Sequence, residues 1–280
     1  MNRLHVARCI APLLALTLAA CATSGPTASL DQRIAARHVV LLGEVHDNAE
    51  GHRIRFDMLK RRVDAGWRPV IAMEQFDLDR QAALDDALRT CADAACVIHA
   101  ASPANAGWQW RFYEPVIDLA LQQHLRIVAA NVSRADAARV MREGFGAVLD
   151  ADTIRAAGLD QPLPADIDRA QTRAVDDGHC GLLPPAMLPL MVRAQVARDA
   201  GMARAVQAHA KEGVVLLAGN GHVRRDIGVA RWFSSVAPND LIAVGFVEGG
   251  APEGQFDAVV TLAPIDRGDP CEGVMRPPSR

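Results

Sequence analysis

Short apolar runs recur along the chain at residues 38–42, 69–73, 126–130, 214–218, 241–246 and 256–262. Each has the length and the apolar character of a strand. Between most of them lie amphipathic segments of helix length. Asp47-Asn48-Ala49-Glu50 opens one such helix in the manner of a capping box; the helix runs to about Ala65, and Gly66 stops it. Further helices are predicted over residues 78–90, 114–123, 134–143 and 185–210. This alternation predicts an α/β fold, a mainly parallel central sheet flanked by helices on both faces. Residues 151–189 break the rhythm with several prolines and Asp176-Asp177-Gly178. They read as a helical insertion or cap over the sheet. The α/β domain is expected over residues 35–265, followed by a loosely ordered tail at 266–280.

Two strand ends stand out. Gly43-Glu44-Val45-His46 and Gly219-Asn220-Gly221-His222 are both G-x-x-H tetrads, and each directly follows an apolar run. In open α/β sheets ligands bind at the carboxyl ends of strands, so each tetrad presents an imidazole where ligands bind. Residues two apart in an extended segment point the same way, so Glu44 and His46 can converge. Glu74 closes the next predicted strand and His222 supplies a fourth group. Two carboxylates and two imidazoles can bind a divalent metal, work as a metal-free acid/base site, or line a larger ligand. A purely structural role, with Glu44 as a helix cap and both histidines in polar contacts, is the alternative. Gly219-Asn220-Gly221 is no dinucleotide fingerprint, because Arg224 occupies its sixth position. Arg224 and Arg225 can pair with carboxylates or be a solvated helix start.

Residues 108–115 hold two of the four tryptophans and the only tyrosine, Tyr113. Such a segment is commonly a core entry, yet a phenolate ligates ferric iron and flat rings suit a flat macrocycle. Gln195, Asp199 and Met202 share one face of the long predicted helix, which makes the two polar residues partners for the histidines. His52, His99, His124 and His209 read as surface residues. There is no G-x-S-x-G elbow, H-E-x-x-H helix, Walker loop or C-x-x-C-H haem attachment in the sequence.

The bulk properties narrow the picture. Half of the 280 residues are apolar and only 4% aromatic, which suits a helix-rich globular chain. The net charge of −3 offers no electrostatic reason to bind nucleic acid. Arg3, His5 and Arg8 precede an apolar stretch at 9–20 that is short for a membrane span. It ends in Leu18-Ala19-Ala20-Cys21, which looks like a bacterial lipobox. Residues 1–20 are therefore expected to be a lipoprotein signal peptide, with Cys21 lipidated and 21–34 a tether. An ordinary secretory signal is the alternative. Ala22 in place of aspartate resembles the pattern of outer-membrane retention in Gram-negative bacteria. Export leaves Cys91, Cys96, Cys180 and Cys271 in an oxidising compartment, an even count that suggests two disulfides. Of three possible pairings, the short spacing favours Cys91 with Cys96 and Cys180 with Cys271.

The ordered set of segments at 40–47, 73–76, 110–115, 179–181, 194–203 and 217–222 resembles the ChaN-like haem-binding lipoproteins. Those belong to the Tiki superfamily, which also includes erythromycin-esterase-like hydrolases. The resemblance spans about residues 35–265. It implies an α/β fold with a helical cap, outer-membrane anchoring, and non-covalent haem binding with two cofacial haems enclosed by a dimer. It further implies that a tyrosine ligates iron while a histidine and a basic residue hold propionates. Tyr113 is then the available iron ligand, and His46, His222, Arg224 and Arg225 are the candidates for the propionates. An outer-membrane haem receptor would be a partner. A second reading is a Tiki-type hydrolase of an ester or peptide bond, with Glu44, His46, Glu74 and His222 activating water, directly or on a metal. A third is a non-catalytic scaffold lipoprotein.

Overall fold

Six strands form one all-parallel sheet in the order β3-β2-β4-β1-β5-β6. The computed structural model describes residues 26–103, 107–268 and 271–272, so Cys21, the signal segment and most of the tail lie outside the described residues. In chain order the elements begin with α1 (Pro26–Ala35), β1 (Val39–Leu42), α2 (Ala49–Asp64), β2 (Val70–Asp77), α3 (Gln81–Thr90) and α4 (Ala94–Ala101). There follow α5 (Glu114–Gln123), β3 (Ile127–Asn131), α6 (Arg134–Glu143), α7 (Ala151–Ala156), α8 (Ala165–Asp177) and α9 (Leu188–Gln207). The chain continues through β4 (Val214–Leu217), α10 (Asn220–Val223), β5 (Leu241–Glu248) and β6 (Ala258–Leu262). The fold is α/β, as the alternation of strands and helices predicts.

Successive strand residues face opposite layers. Val40, Leu42, Ile71, Met73, Val215 and Leu217 pack into one core with residues of α2 to α5. Val39, Leu41, Val70, Ala72, Val214 and Leu216 pack into the other with residues of α6, α8 and α9. Both faces are covered, which is why these strands read as continuous apolar runs. At the centre β1 pairs with β4, Leu42 opposite Leu217. The chain leaves β1 for β2, beyond β4, and leaves β4 for β5, beyond β1. Connections that part in this way open a crevice at the strand carboxyl ends.

The helix after β1 is capped by Asn48, whose side chain accepts from the Gly51 N–H at 3.0 Å. Within 151–189, α7 and α8 contact α9. Disulfides join Cys91 to Cys96 and Cys180 to Cys271, the latter fastening the C-terminal tail beside the turn after α8. Among the described residues no helix is long and apolar enough to cross a membrane.

Candidate functional site

Because β1 and β4 are neighbours in register, the two tetrads lie side by side, and each glycine makes room for the other tetrad's polar residue. A Cβ on Gly43 would stand 2.1 Å from Asn220 Oδ1. A Cβ on Gly219 would stand 3.1 Å from both Cε1 and Nε2 of His46. With that space available, Asn220 bonds to β5 as a strand would: its Nδ2 donates to the Phe246 carbonyl at 2.5 Å and its Oδ1 accepts from the Phe246 N–H at 3.0 Å.

Glu44 is buried at the centre of a first network. Its Oε1 accepts from the Tyr113 hydroxyl at 2.5 Å and from His46 Nδ1 at 2.7 Å, and its Oε2 is ion-paired with buried Arg55. Burial opposes its charge, but Arg55 and the His46 hydrogen bond outweigh burial and hold the carboxyl far below the usual range. His46 responds in the opposite sense. Burial lowers its pKa, while the bond to Glu44 and the charge of Glu74 raise it above the ordinary value.

His52, read as a surface residue, is buried on α2, one turn before Arg55. Its Nδ1 accepts from Arg55 Nη2 at 3.0 Å and its Nε2 donates to the His46 carbonyl at 3.0 Å. Burial and Arg55 push its pKa down to about 4, so the ring is neutral at pH 7. His99 and His124 are exposed.

Glu74 and His222 form a second network. Glu74 Oε2 accepts from the Gly219 N–H at 2.7 Å, and its Oε1 lies 3.4 Å from His222 Nε2. On the other side of the ring, His222 Nδ1 meets Asp199 Oδ1 at 2.6 Å, with the Gln195 amide 3.2 Å away. Gln171 of α8 donates to Asp199 Oδ2 at 3.3 Å and to the Ile227 carbonyl at 2.8 Å. Burial disfavours a charged imidazole, yet the two carboxylates prevail and the His222 pKa is pushed up to about 10. The ring is an imidazolium held between two acids, with neither nitrogen free.

Both networks border a cleft of about 890 Å³ over the carboxyl ends of β1, β2 and β3. His46 enters it with half of its side chain exposed, flanked by Trp108 in an edge contact at 5.1 Å between ring centres. Its Nε2 has no hydrogen-bond partner among the described residues. Glu74 is the other network member on the wall. Asp77, Asp79, Arg80, Arg134 and Arg198 also line it. Arg80 donates to the Ala100 carbonyl at 3.0 Å, whereas Arg134 and Arg198 have no ion-pair partner among the described residues. Burial and Asp79 raise the pKa of Asp77, and Arg198 opposes them.

Several sequence expectations meet this geometry differently. Tyr113, expected as an iron ligand, is fully buried with its hydroxyl committed to Glu44; burial and that carboxylate push its pKa up, so it stays a phenol. It does not line the cleft. Neither do Arg224, paired with Asp226 at 2.6 Å, and Arg225, 3.5 Å from Asp257. Glu44, His46, Glu74 and His222 do gather at one place, but as two pairs spent on each other rather than as a metal cage. Among the described residues no group of three His, Cys, Asp or Glu is arranged to hold a metal ion. The segment 151–189, expected as a helical insertion or cap over the sheet, packs on α9 and contributes to the core on that face of the sheet; none of its residues lines the cleft. Sequence reasoning missed Arg55, Arg134 and Arg198. His52 and Arg55, one turn apart on a helix that starts beside the first tetrad, carried a faint signal. The other two looked like any surface arginine.

A family model described as haem-binding uptake, Tiki superfamily, ChaN matches residues 30–233. No curated protein sequence matches. Among solved structures, ChaN of Campylobacter jejuni, described with cofacial haem binding, is similar at a TM-score of 0.68 and 20% identity. That alignment covers 82% of this chain and 89% of the other. An erythromycin esterase EreC variant in its open conformation is more distant, at a TM-score of 0.48 and 15% identity over 78% of this chain and 72% of that one. The Campylobacter likeness shows a shared fold, and the family match covers most of the domain. The chain belongs to the haem-binding ChaN family of the Tiki superfamily.

Proposed function

We propose that this protein is an outer-membrane lipoprotein, lipidated at Cys21, that binds haem non-covalently and captures or passes it for iron uptake. The observation that carries this reading is the cleft itself, which gives a family member three features suited to a porphyrin. An imidazole whose Nε2 has no hydrogen-bond partner, the edge of a tryptophan, and two arginines without ion-pair partners among the described residues line its wall. A ligand that is flat, apolar and anionic at one edge matches that polarity. Haem, when bound, would supply ferric iron; the chain's own residues bind it, orient it and exclude water. In line with the cofacial arrangement described for Campylobacter ChaN, two copies would enclose two haems, and an outer-membrane receptor is the proposed donor or acceptor.

Titrating purified apoprotein with haemin tests the binding. The expected result is a saturable Soret shift; no shift removes the function. Sedimentation with and without haemin tests the dimer, which is expected only in the loaded form. Labelled palmitate incorporated by the wild-type chain and lost in Cys21→Ala tests the anchor.

A second reading is favoured by one feature. Glu44 on Nδ1 fixes the His46 tautomer and leaves Nε2 without a hydrogen-bond partner among the described residues, the arrangement of a general base. His46 would then take a proton from water attacking an ester or peptide bond. Ester or peptide hydrolysis lost in His46→Ala, with no haemin uptake, would replace the first reading by this one. Neither activity would leave a scaffold lipoprotein.

A further inference from the structure

A parallel sheet has two unlike edges. The cleft lies over the carboxyl ends of β1, β2 and β3. At the opposite edge the chain enters the strands, and the entries stand in a row. The His38 carbonyl accepts from the Val214 N–H at 2.8 Å, and the Arg126 carbonyl from the Ile71 N–H at 2.9 Å. Helix α1 lies along this entry edge. Leu30 and Ile34 bury into the core beside it. Asp31 pairs with Arg61 at the end of α2 at 3.0 Å, and Arg33 donates to the Asp257 carbonyl, just before β6, at 2.6 Å.

The entry edge is basic in a chain whose net charge is −3. Segments 31–38 and 60–68, together with Arg126, carry seven basic residues against two acids. Both acids are spent, Asp31 on Arg61 and Asp64 on Lys60 at 2.6 Å. That leaves Arg33, Arg37, Arg62, Arg68 and Arg126 with no ion-pair partner among the described residues. Arg62 lies over the Trp67 ring at 4.4 Å, and Arg68 donates to the Val63 carbonyl at 2.7 Å. Elsewhere along the edge, Arg89 and Asp86 at the end of α3 neutralise each other, and Asp240 and Asp257 precede β5 and β6. The excess positive charge is therefore concentrated on the side that runs from β3 to β1.

Such charge acts over about 8 Å at physiological ionic strength, so it counts only for a partner held close to it. The lipid proposed on Cys21 would hold a bilayer there. Pro26, which opens α1, follows Cys21 by five positions, a step that spans at most about 18 Å. Guanidinium groups match phosphate oxygens, and basic clusters beside a membrane anchor attract anionic headgroups.

We propose that the entry edge of the sheet docks on a surface of anionic phospholipid headgroups, which turns the cleft away from the bilayer. This rests on the lipidation of Cys21 in the reading above.

The test is tryptophan fluorescence of the full lipidated chain in vesicles of phosphatidylethanolamine and phosphatidylglycerol that carry a nitroxide on the headgroup. Trp67 marks the entry edge and Trp108 the cleft. Quenching is expected in the wild type, lost for the most part in Trp67→Phe and kept in Trp108→Phe. Arg37→Glu combined with Arg126→Glu, salt at about 1 M, or phosphatidylcholine in place of phosphatidylglycerol should each reduce it at least about twofold. Melting of each variant separates misfolding from loss of docking, and the charge reversal tests the surface without touching Trp67. Quenching that survives Trp67→Phe and disappears in Trp108→Phe would put the cleft on the membrane and overturn the proposal. Quenching indifferent to lipid charge, salt and charge reversal would overturn it as well, as would no quenching of a chain shown by mass spectrometry to be acylated. An unacylated Cys21 in the wild-type protein would instead bring down the anchor itself, and the docking with it.

Discussion

Tyr113 illustrates what a single residue's chemistry does and does not declare. A lone tyrosine in a tryptophan-rich segment has the right chemistry for iron, but its neighbours decide its role. The Glu44 carboxylate, already bonded to His46 and paired with Arg55, needs a further donor on Oε1, and the buried phenol provides it. Removing that donor leaves a buried carboxylate oxygen short of one partner, a loss of about 1–3 kcal/mol. Tyr113→Phe is therefore expected to lower the melting temperature by several degrees; an unchanged melting curve would show that the hydrogen bond contributes nothing. The four residues read from the tetrads and Glu74 do meet in one place, because strand-end position was legible from spacing. Which of them satisfies which was not. Spacing says where a side chain starts, whereas pairing depends on residues such as Arg55 and Asp199 that come from distant helices.

At the scale of elements, periodicity carried much of the description. Helices α5 and α6 begin and end where the apolar pattern places them. Strand β2 runs four residues past its predicted end at 73, because pairing with β3 continues through Asp77 after a register shift. The close packing of the two tetrads was not legible, since a glycine's need for space is set by a neighbour across the sheet. Gly219→Ala puts a methyl carbon 3.1 Å from the His46 ring. The ring must give by a few tenths of an ångström, so haemin affinity should fall by about tenfold, about 1.4 kcal/mol, with little change in circular dichroism. Unaltered affinity would mean that the ring position is unimportant. The cleft wall draws on α6 for Arg134 and α9 for Arg198. If these guanidiniums take the porphyrin carboxylates, Arg134→Ala and Arg198→Ala weaken haemin but not haemin dimethyl ester. Equal loss for both ligands would mean the arginines act on the fold instead.

The described residues form an α/β domain whose site is braced by buried charge. His222 sits between Glu74 and Asp199, linking β2 to α9 through α10. Its folded pKa, about 10, lies above the ordinary value of 6.5. The stabilisation is thus fully present below about pH 6.5 and is lost as pH rises through about 10, amounting to on the order of a few kcal/mol. Glu74 has a lowered pKa, so its contribution is present above its ordinary value of 4.5 and declines as pH falls through the folded value. Thermal unfolding should accordingly show a steep alkaline fall in wild type that His222→Gln flattens; parallel curves would deny the imidazolium its role. The sheet order and the place of α7 and α8 were beyond the sequence, because they depend on which apolar faces find each other rather than on any local pattern.

The central claim is that this open cleft is a haem site. Haemin titration of the purified chain, followed through the Soret band, tests it most directly. A saturable shift is the predicted result. A featureless titration in the wild-type protein would contradict it.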